Sequence, residues 1–217
     1  MVFEDYFPFW DKLTPAQQER LAEVTHPLQA KAGTVLHDGQ SDCLGLLLIE
    51  SGQLRVYTLS PDGREITLYR LFDRDICLFS ASCVMPDVQF EVMIETEKDC
   101  SLWVIPSCLF KNLMEDSAAV ANYANALIAG RFSEVMWRME QILWRSFDKR
   151  LAAFLLEESA LEGNNLKITH EKIANHMGTA REVVTRMLRY FQDEGMVRLS
   201  RGTVELTDTE KLQTLQQ

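Results

Sequence analysis

Hydrophobic positions fall into distinct regimes along the 217 residues. From Leu28 to about Ile105 they come in short runs: Val35–Leu36, Leu46–Ile49, Leu54–Leu59, Ile66–Leu71, Asp75–Phe79, Phe90–Glu95 and Ser101–Ile105. Glycines at 33, 39, 52 and 63 punctuate them, and Pro-Asp-Gly at 61–63 has the chemistry of a hairpin turn. Many short strands with glycine turns predict a small barrel or jelly roll. Before this region, Asp11–Val24 reads as a short helix, with Thr14 as cap and Pro15 at its first position. After it, Ser117–Leu143 carries Val120, Tyr123, Leu127, Ile128, Val135, Met139 and Ile142 at helical spacing. That stripe is longer than one small domain covers. Phe147–Leu161 predicts another helix, burying Leu151, Phe154 and Leu155.

The most informative stretch is Thr169–Gly195, which reads as two helices joined by a tight turn. Thr169 caps the first, and Ile173, Ala174 and Met177 form its apolar face. Gly178 ends it, because glycine accepts a left-handed turn without steric cost. Thr179 is expected to start the second helix, with Glu182 at the capping-box spacing. Val183, Val184, Met187, Leu188 and Phe191 make its buried stripe, Arg181, Glu182, Thr185, Arg186 and Arg189 its opposite face, and Gly195 its end. Arginine pairs bidentately with guanine in the major groove, and glutamate accepts from the cytosine amino group. Met196–Thr207 then alternates around Arg-Gly as a small β-hairpin. Helix, turn, helix and hairpin together make a winged helix, a DNA-reading unit. The bland counterpart is a helical hairpin with a solvated charged face.

Here a resemblance becomes specific. Arg-Glu-Val-Val-Thr-Arg at 181–186, after Gly-Thr-Ala and before a helix ending Asp-Glu-Gly, resembles the recognition helix of the Crp/Fnr family of bacterial transcription regulators. The resemblance implies that Arg181, Glu182 and Arg186 read base edges; Thr185, at a position often held by a small hydroxyl residue in the Fnr-like branch, is a further DNA-contact candidate. It further implies that Thr169 and His170 match a phosphate-contacting spot, with arginine often at the His170 position in the family; Thr179 is a further candidate at the DNA interface. Ala-Gly-Thr-Val-Leu-His-Asp-Gly-Gln at 32–40, Ser-Gly-Gln-Leu-Arg-Val-Tyr at 51–57 and Asp-Gly-Arg-Glu-Ile-Thr-Leu at 62–68 look like the effector β-roll of the same family. The long helix is then its dimerisation helix, packed as a parallel coiled coil. A helix buried on its own β-roll also fits the pattern.

Composition bears on the reading through charge. The net charge of −10 looks wrong for a DNA binder, but residues 1–144 hold 11 basic and 21 acidic side chains, and residues 145–217 hold 11 of each. Within 164–202 there are 7 basic and 4 acidic, so the reading face is locally positive. DNA affinity should be modest and strongly salt-dependent. Met1–Trp10 has acids and aromatics where a signal peptide has a basic start, and the longest apolar run, Cys43–Ile49, is too short to span a bilayer. Five cysteines without a framework pattern point to a reducing cytoplasm.

The effector region departs from the best-known relatives. Cyclic-nucleotide binders of the family hold ribose and cyclic phosphate with a Gly-Glu pair and an Arg-Ser pair. Ungapped alignment puts those positions on Leu78–Phe79 and Gln89–Phe90, and the hydroxyl pair of the long helix on Val135–Met136. A buried phosphate needs a fixed charged donor, so a cyclic nucleotide is not expected. Leu78, Phe79, Phe90 and Val135 predict a pocket for an apolar or aromatic effector, with Gln89 and Arg131 as orienting groups. The same residues would equally serve to fill the roll's core.

Other sensing chemistries have requirements of their own. Cys77 and Cys83 are redox candidates, given an exposed low-pKa thiol and a partner in reach; buried cysteines acting as small hydrophobes are the commoner case. Haem would need axial ligands, for which Cys77, His26, His37 or a methionine would serve. An Fnr-type iron–sulfur cluster is not expected, since residues 1–42 lack cysteine. The four histidines form no metal-ligand cluster, and no phosphate loop or nucleophile elbow occurs, so neither a metal site nor an enzyme is expected.

The sequence therefore predicts an α+β protein: a jelly-roll-like β-roll sensor domain at 1–116, a dimerisation helix and hinge at 117–145, and a C-terminal winged helix-turn-helix domain at 146–217. Trp144–Asp148 forms the boundary. The expected partners are an inverted repeat of double-stranded DNA, a second copy of the chain, RNA polymerase and an unidentified small effector. A non-DNA regulatory module is the remaining alternative.

Overall fold

The computed structural model describes residues 3–39, 44–61, 63–78, 91–144 and 146–216. The chain forms two compact units, Met1–Thr58 with Leu68–Val135, and Leu59–Thr67 with Met136–Gln217.

In the first unit, helix α1 (Pro15–Val24) starts as predicted. The Thr14 hydroxyl accepts from the Gln17 N–H, and the Gln17 side chain accepts from the Thr14 N–H in return, satisfying two donors that a helix start leaves open. Strands β1 (His26–Ala30), β8 (Cys100–Ile105), β3 (Leu46–Ser51) and β6 (Ile76–Cys77) pair in that order in one sheet. Strands β2 (Val35–Asp38), β7 (Met93–Thr96), β4 (Leu54–Leu59) and β5 (Glu65–Leu71) make a second. All the recorded pairings within them are antiparallel.

Leu46, Leu47, Leu48 and Ile49 are all fully buried, which a strand achieves only when both faces are covered. Leu47 and Ile49 join Leu54, Val56, Ile94 and Leu102 in a core built from both sheets. Leu46 and Leu48 face the other way, into a layer with Phe7, Leu21, Phe110 and Val120. That second layer rests on helices α2 (Ser107–Asp116) and α3 (Ala118–Trp144). The predicted sensor fold is thus observed, with α2 added: its two buried apolar residues, Phe110 and Leu113, are too few to announce a helix in sequence.

Two predicted strands are shorter than expected. Asp75–Phe79 contracts to β6, because Phe72–Asp75 is a turn in which the Asp75 carboxylate accepts from the Phe72 N–H at 2.8 Å. Phe90–Glu95 becomes β7, and Phe79 and Phe90 lie outside the described residues.

The apolar stripe of α3 divides in two. Val120 and Ala124 are buried in the helical layer, with Tyr123, Leu127 and Ile128 packed against it. Further along, Phe132 (64% exposed), Met139 (50%) and Ile142 (41%) face outward. The chain passes from the first compact unit to the second within this helix, between Val135 and Met136.

The second unit contains α4 (Phe147–Glu162), α5 (His170–Met177), α6 (Arg181–Asp193) and α7 (Thr209–Gln216) around one core. Strands β10 (Val197–Ser200) and β11 (Thr203–Leu206) form the predicted hairpin. A third strand, β9 (Asn165–Leu166), adds to β11 where a plain loop was expected. Leu166 enters the core and pairs opposite Val204, whereas the surrounding Asn and Gly residues read as loop. Helix α7 was also unforeseen; its Leu212 is completely buried among these elements.

Candidate nucleic-acid interface

The turn between α5 and α6 places the interface. Gly178 has φ +64° and ψ +40°, the left-handed geometry that glycine adopts freely. The Thr169 hydroxyl accepts from the Lys172 N–H at 3.1 Å, capping α5 as predicted. The start of α6 differs from expectation. Its cap is Ala180, with no side-chain bond, so Thr179 and Glu182 do not form a capping box. Thr179 instead belongs to the turn, where its N–H reaches the Ala174 carbonyl at 3.1 Å. The first donors of α6 are thereby left without side-chain competition, and helix starts of this kind favour anions.

Helix α6 is strongly two-faced. Val184, Leu188 and Phe191 are buried, and Val183 and Met187 partly so. Arg181, Glu182, Thr185, Arg186 and Arg189 share the opposite face with Tyr190 and Asp193, forming one open polar surface. Tyr190 was not singled out in the sequence. Its spacing of four from Arg186 was the available signal, masked by the apolar count that assigns aromatics to cores. Arg181 lies 4.0 Å from Glu171 of α5, and both side chains are largely exposed, so this pair constrains neither much.

His170 sits at the start of α5, half-buried against α6. Its Nδ1 shares a hydrogen bond of 2.9 Å with the Thr185 hydroxyl. Desolvation, then the positive charges of Arg181 and Arg189, hold its pKa below the ordinary histidine value. The predicted DNA-contacting residues Thr169, His170, Arg181, Glu182, Thr185 and Arg186 thus gather on the α5 start and the exposed face of α6.

The effector candidates are dispersed. Leu78 is buried in the helical layer, and Val135 packs against the core between the sheets, so the two do not share one cluster. Phe79, Gln89 and Phe90 lie outside the described residues. Arg131 is held by Glu134 at 2.8 Å and Asp75 at 3.6 Å, with its guanidinium carbon 5.0 Å from the Tyr69 ring centre. Burial lowers its pKa, but the Glu134 hydrogen bond and the Glu134 and Asp75 charges outweigh this and hold it above the usual arginine value.

Of the sensor candidates, Cys77 is buried and Cys83 lies outside the described residues. Burial pushes the Cys100 thiol up, away from the thiolate. His26 is exposed on β1; His37 is buried on β2, its Nδ1 without a hydrogen-bond partner among the described residues. No cluster of three or more His, Cys, Asp or Glu suited to a metal ion occurs among those residues. No described helix is long and apolar enough to cross a membrane.

Comparison with known proteins agrees with this architecture. The model of the Crp-like helix-turn-helix domain matches residues 149–215, and that of the cyclic nucleotide-binding domain matches residues 27–117. The chain is 60% identical to a crystallised protein of the crp/fnr family from Eubacterium rectale, assigned as a transcriptional regulator; the match covers 98% of this chain and 99% of that one, with a TM-score of 0.96. It is 28% identical to the cyclic AMP receptor protein of Thermus thermophilus, over 78% of each chain. It is 26% identical to the fumarate and nitrate reduction regulatory protein of Salmonella typhimurium, over 92% of this chain and 81% of that one. With a β-roll, a long helix and a winged helix-turn-helix in the matching order, the chain belongs to the Crp/Fnr family of DNA-binding transcription regulators.

Proposed function

We propose that the chain works as a cytoplasmic homodimer that reads an inverted DNA repeat, engages RNA polymerase, and answers to a small effector other than a cyclic nucleotide. The carrying observation is the first turn and a half of α6, where Arg181, Glu182 and Arg186 are exposed together on one face. Such a display suits the major groove, and a purely structural helix has no need of it. Dimerisation is supported by α3, where Ile128, Phe132, Val135, Met139 and Ile142 follow alternating spacings of four and three. This is the seam of a two-stranded coiled coil, and Phe132, Met139 and Ile142 of that seam are exposed in the single chain.

The effector reading rests on chemistry. One relative is named for cyclic AMP and the other for the reductions it regulates, so membership in the family does not select an effector. Arg131, a strong donor beside the β-roll core, has its charge matched by Asp75 and Glu134. A cyclic phosphate placed there would have to displace carboxylates, and positions 78–79 and 89–90 offer it only Leu, Phe, Gln and Phe. No catalytic step is assigned to the chain.

Native mass spectrometry of protein purified without oxygen tests the dimer and the effector together. The expected species is a dimer carrying an extra mass of an apolar or aromatic small molecule. A dimer carrying cyclic nucleotide overturns the effector reading, one carrying haem replaces it, and a monomer overturns the dimer. A bare dimer whose DNA binding changes with oxidant transfers sensing to the cysteines.

A further inference from the structure

The hydrogen bond between His170 and Thr185 joins two residues that sit at the same interface but on different helices. A threonine hydroxyl has one proton to donate and two lone pairs to accept with. An imidazole has two nitrogens, whose roles change with protonation. We propose that His170 is a positioning residue that sets which hydrogen-bonding character Thr185 presents to a base edge. The proposal rests on α6 being the reading helix.

When His170 is neutral with its proton on Nε2, Nδ1 accepts and the Thr185 O–H donates to it. Thr185 then has only lone pairs left for DNA, which match the amino group of adenine or cytosine. When His170 takes up a second proton, Nδ1–H donates to Thr185 Oγ1. The threonine O–H is released, and it matches the O6 or N7 of guanine or the O4 of thymine. In both of these states Nε2 carries a proton and is a donor to a phosphate. The other neutral tautomer would turn a bare lone pair towards phosphate oxygens, so contact with the DNA backbone disfavours it. No other hydrogen bond of the His170 ring is formed among the described residues.

The surrounding charges set where the change falls. Arg181 and Arg189 of α6 oppose protonation in the free protein, as does the burial of the ring. Glu171, on the same helix as His170, lies 4.0 Å from Arg181 and offsets part of that charge. DNA phosphates add negative charge and favour protonation. The free protein therefore holds His170 neutral near pH 7, and the DNA complex titrates at higher pH than the free protein.

The test selects bound duplexes from a randomised inverted-repeat library with the full chain, at pH 8 and at pH 5.5. One position in each half-site should change from an adenine or cytosine edge to a guanine or thymine edge, with relative affinities altered by about three- to tenfold, the scale of one hydrogen bond. His170→Ala, whatever its loss of overall affinity, should lose the change with pH among the duplexes it selects, and Thr185→Val should lose the preference at that position at both pH values. Nitrogen chemical shifts of labelled His170 in the complex should report the Nε2–H form at pH 8. Identical preferences at the two pH values, or a change that persists in His170→Ala, overturn the relay while leaving DNA reading intact. Failure to select any site at either pH overturns the reading helix itself, and the relay with it.

Discussion

Arg131 stands over the face of Tyr69, its guanidinium carbon 5.0 Å from the ring centre, while Asp75 holds the same guanidinium at 3.6 Å. A cation over an aromatic face is stabilised by the ring quadrupole, more so when water is excluded. Arg131→Ala should lower stability by about 1–3 kcal/mol, since it removes the cation–π contact and leaves Asp75 without this partner. Urea denaturation followed by circular dichroism measures it; a change within error would show that the cluster contributes nothing net.

The buried ring also makes a pH prediction. Burial raises the Tyr69 pKa well above the usual tyrosine value, Cys77 and Glu134 push it the same way, and Arg131 pulls it back. The folded state therefore favours the neutral phenol. Its contribution to stability is fully present below pH 10, the ordinary tyrosine value, and is lost as pH rises from there towards the folded-state pKa. In an alkaline absorbance titration Tyr69 should ionise only with unfolding, so Tyr69→Phe should remove a late, cooperative part of the transition. An unchanged profile would contradict the burial.

Gly178 carries the turn before the reading helix at φ +64°. An alanine there would be strained by its backbone alone, and its Cβ would crowd the Ile66 side chain. Gly178→Ala should destabilise by about 1–3 kcal/mol and weaken DNA binding beyond that loss, because α6 takes its direction from this turn. Thermal unfolding and fluorescence anisotropy on a selected duplex separate the two effects.

Phe132 lies at the centre of the outward stripe on α3 and is 64% exposed in the single chain. A charge at that position would have to be desolvated on pairing. Phe132→Asp should shift the protein from dimer to monomer in analytical ultracentrifugation with its fold intact. A variant that remains dimeric at micromolar concentration would place the interface elsewhere.

Arg186 is exposed on the reading face and free of any ion pair recorded among the described residues. Arg186→Ala should cost about 1–3 kcal/mol of binding and relax preference at one base pair. A uniform loss over all sequences, with a shallower salt dependence, would identify a phosphate contact instead.

What the sequence determined by itself follows from local rules. Val184, Leu188 and Phe191 recur at helical spacing, so the buried face of α6, and with it the opposite face of Arg181, Glu182 and Arg186, was legible before any coordinates. Gly178 and the Arg-Gly turn marked the turn and the wing because few residues accept those backbone angles. The tertiary structure decided what depends on partners distant in sequence. Pairing with Val204, far along the chain, made Leu166 a strand residue, and no periodicity within Gly163–Leu166 encodes it. Along α3 the apolar residues fall into two sets, Val120 and Ala124 buried in the helical layer with Val135 packed against the core between the sheets, and Phe132, Met139 and Ile142 exposed; periodicity marks them alike, and only packing separates them. His170 became a partner of Thr185, fifteen residues away, because Gly178 folds α6 back across α5; spacing specifies the faces of each helix, and only their packing brings the two side chains to 2.9 Å.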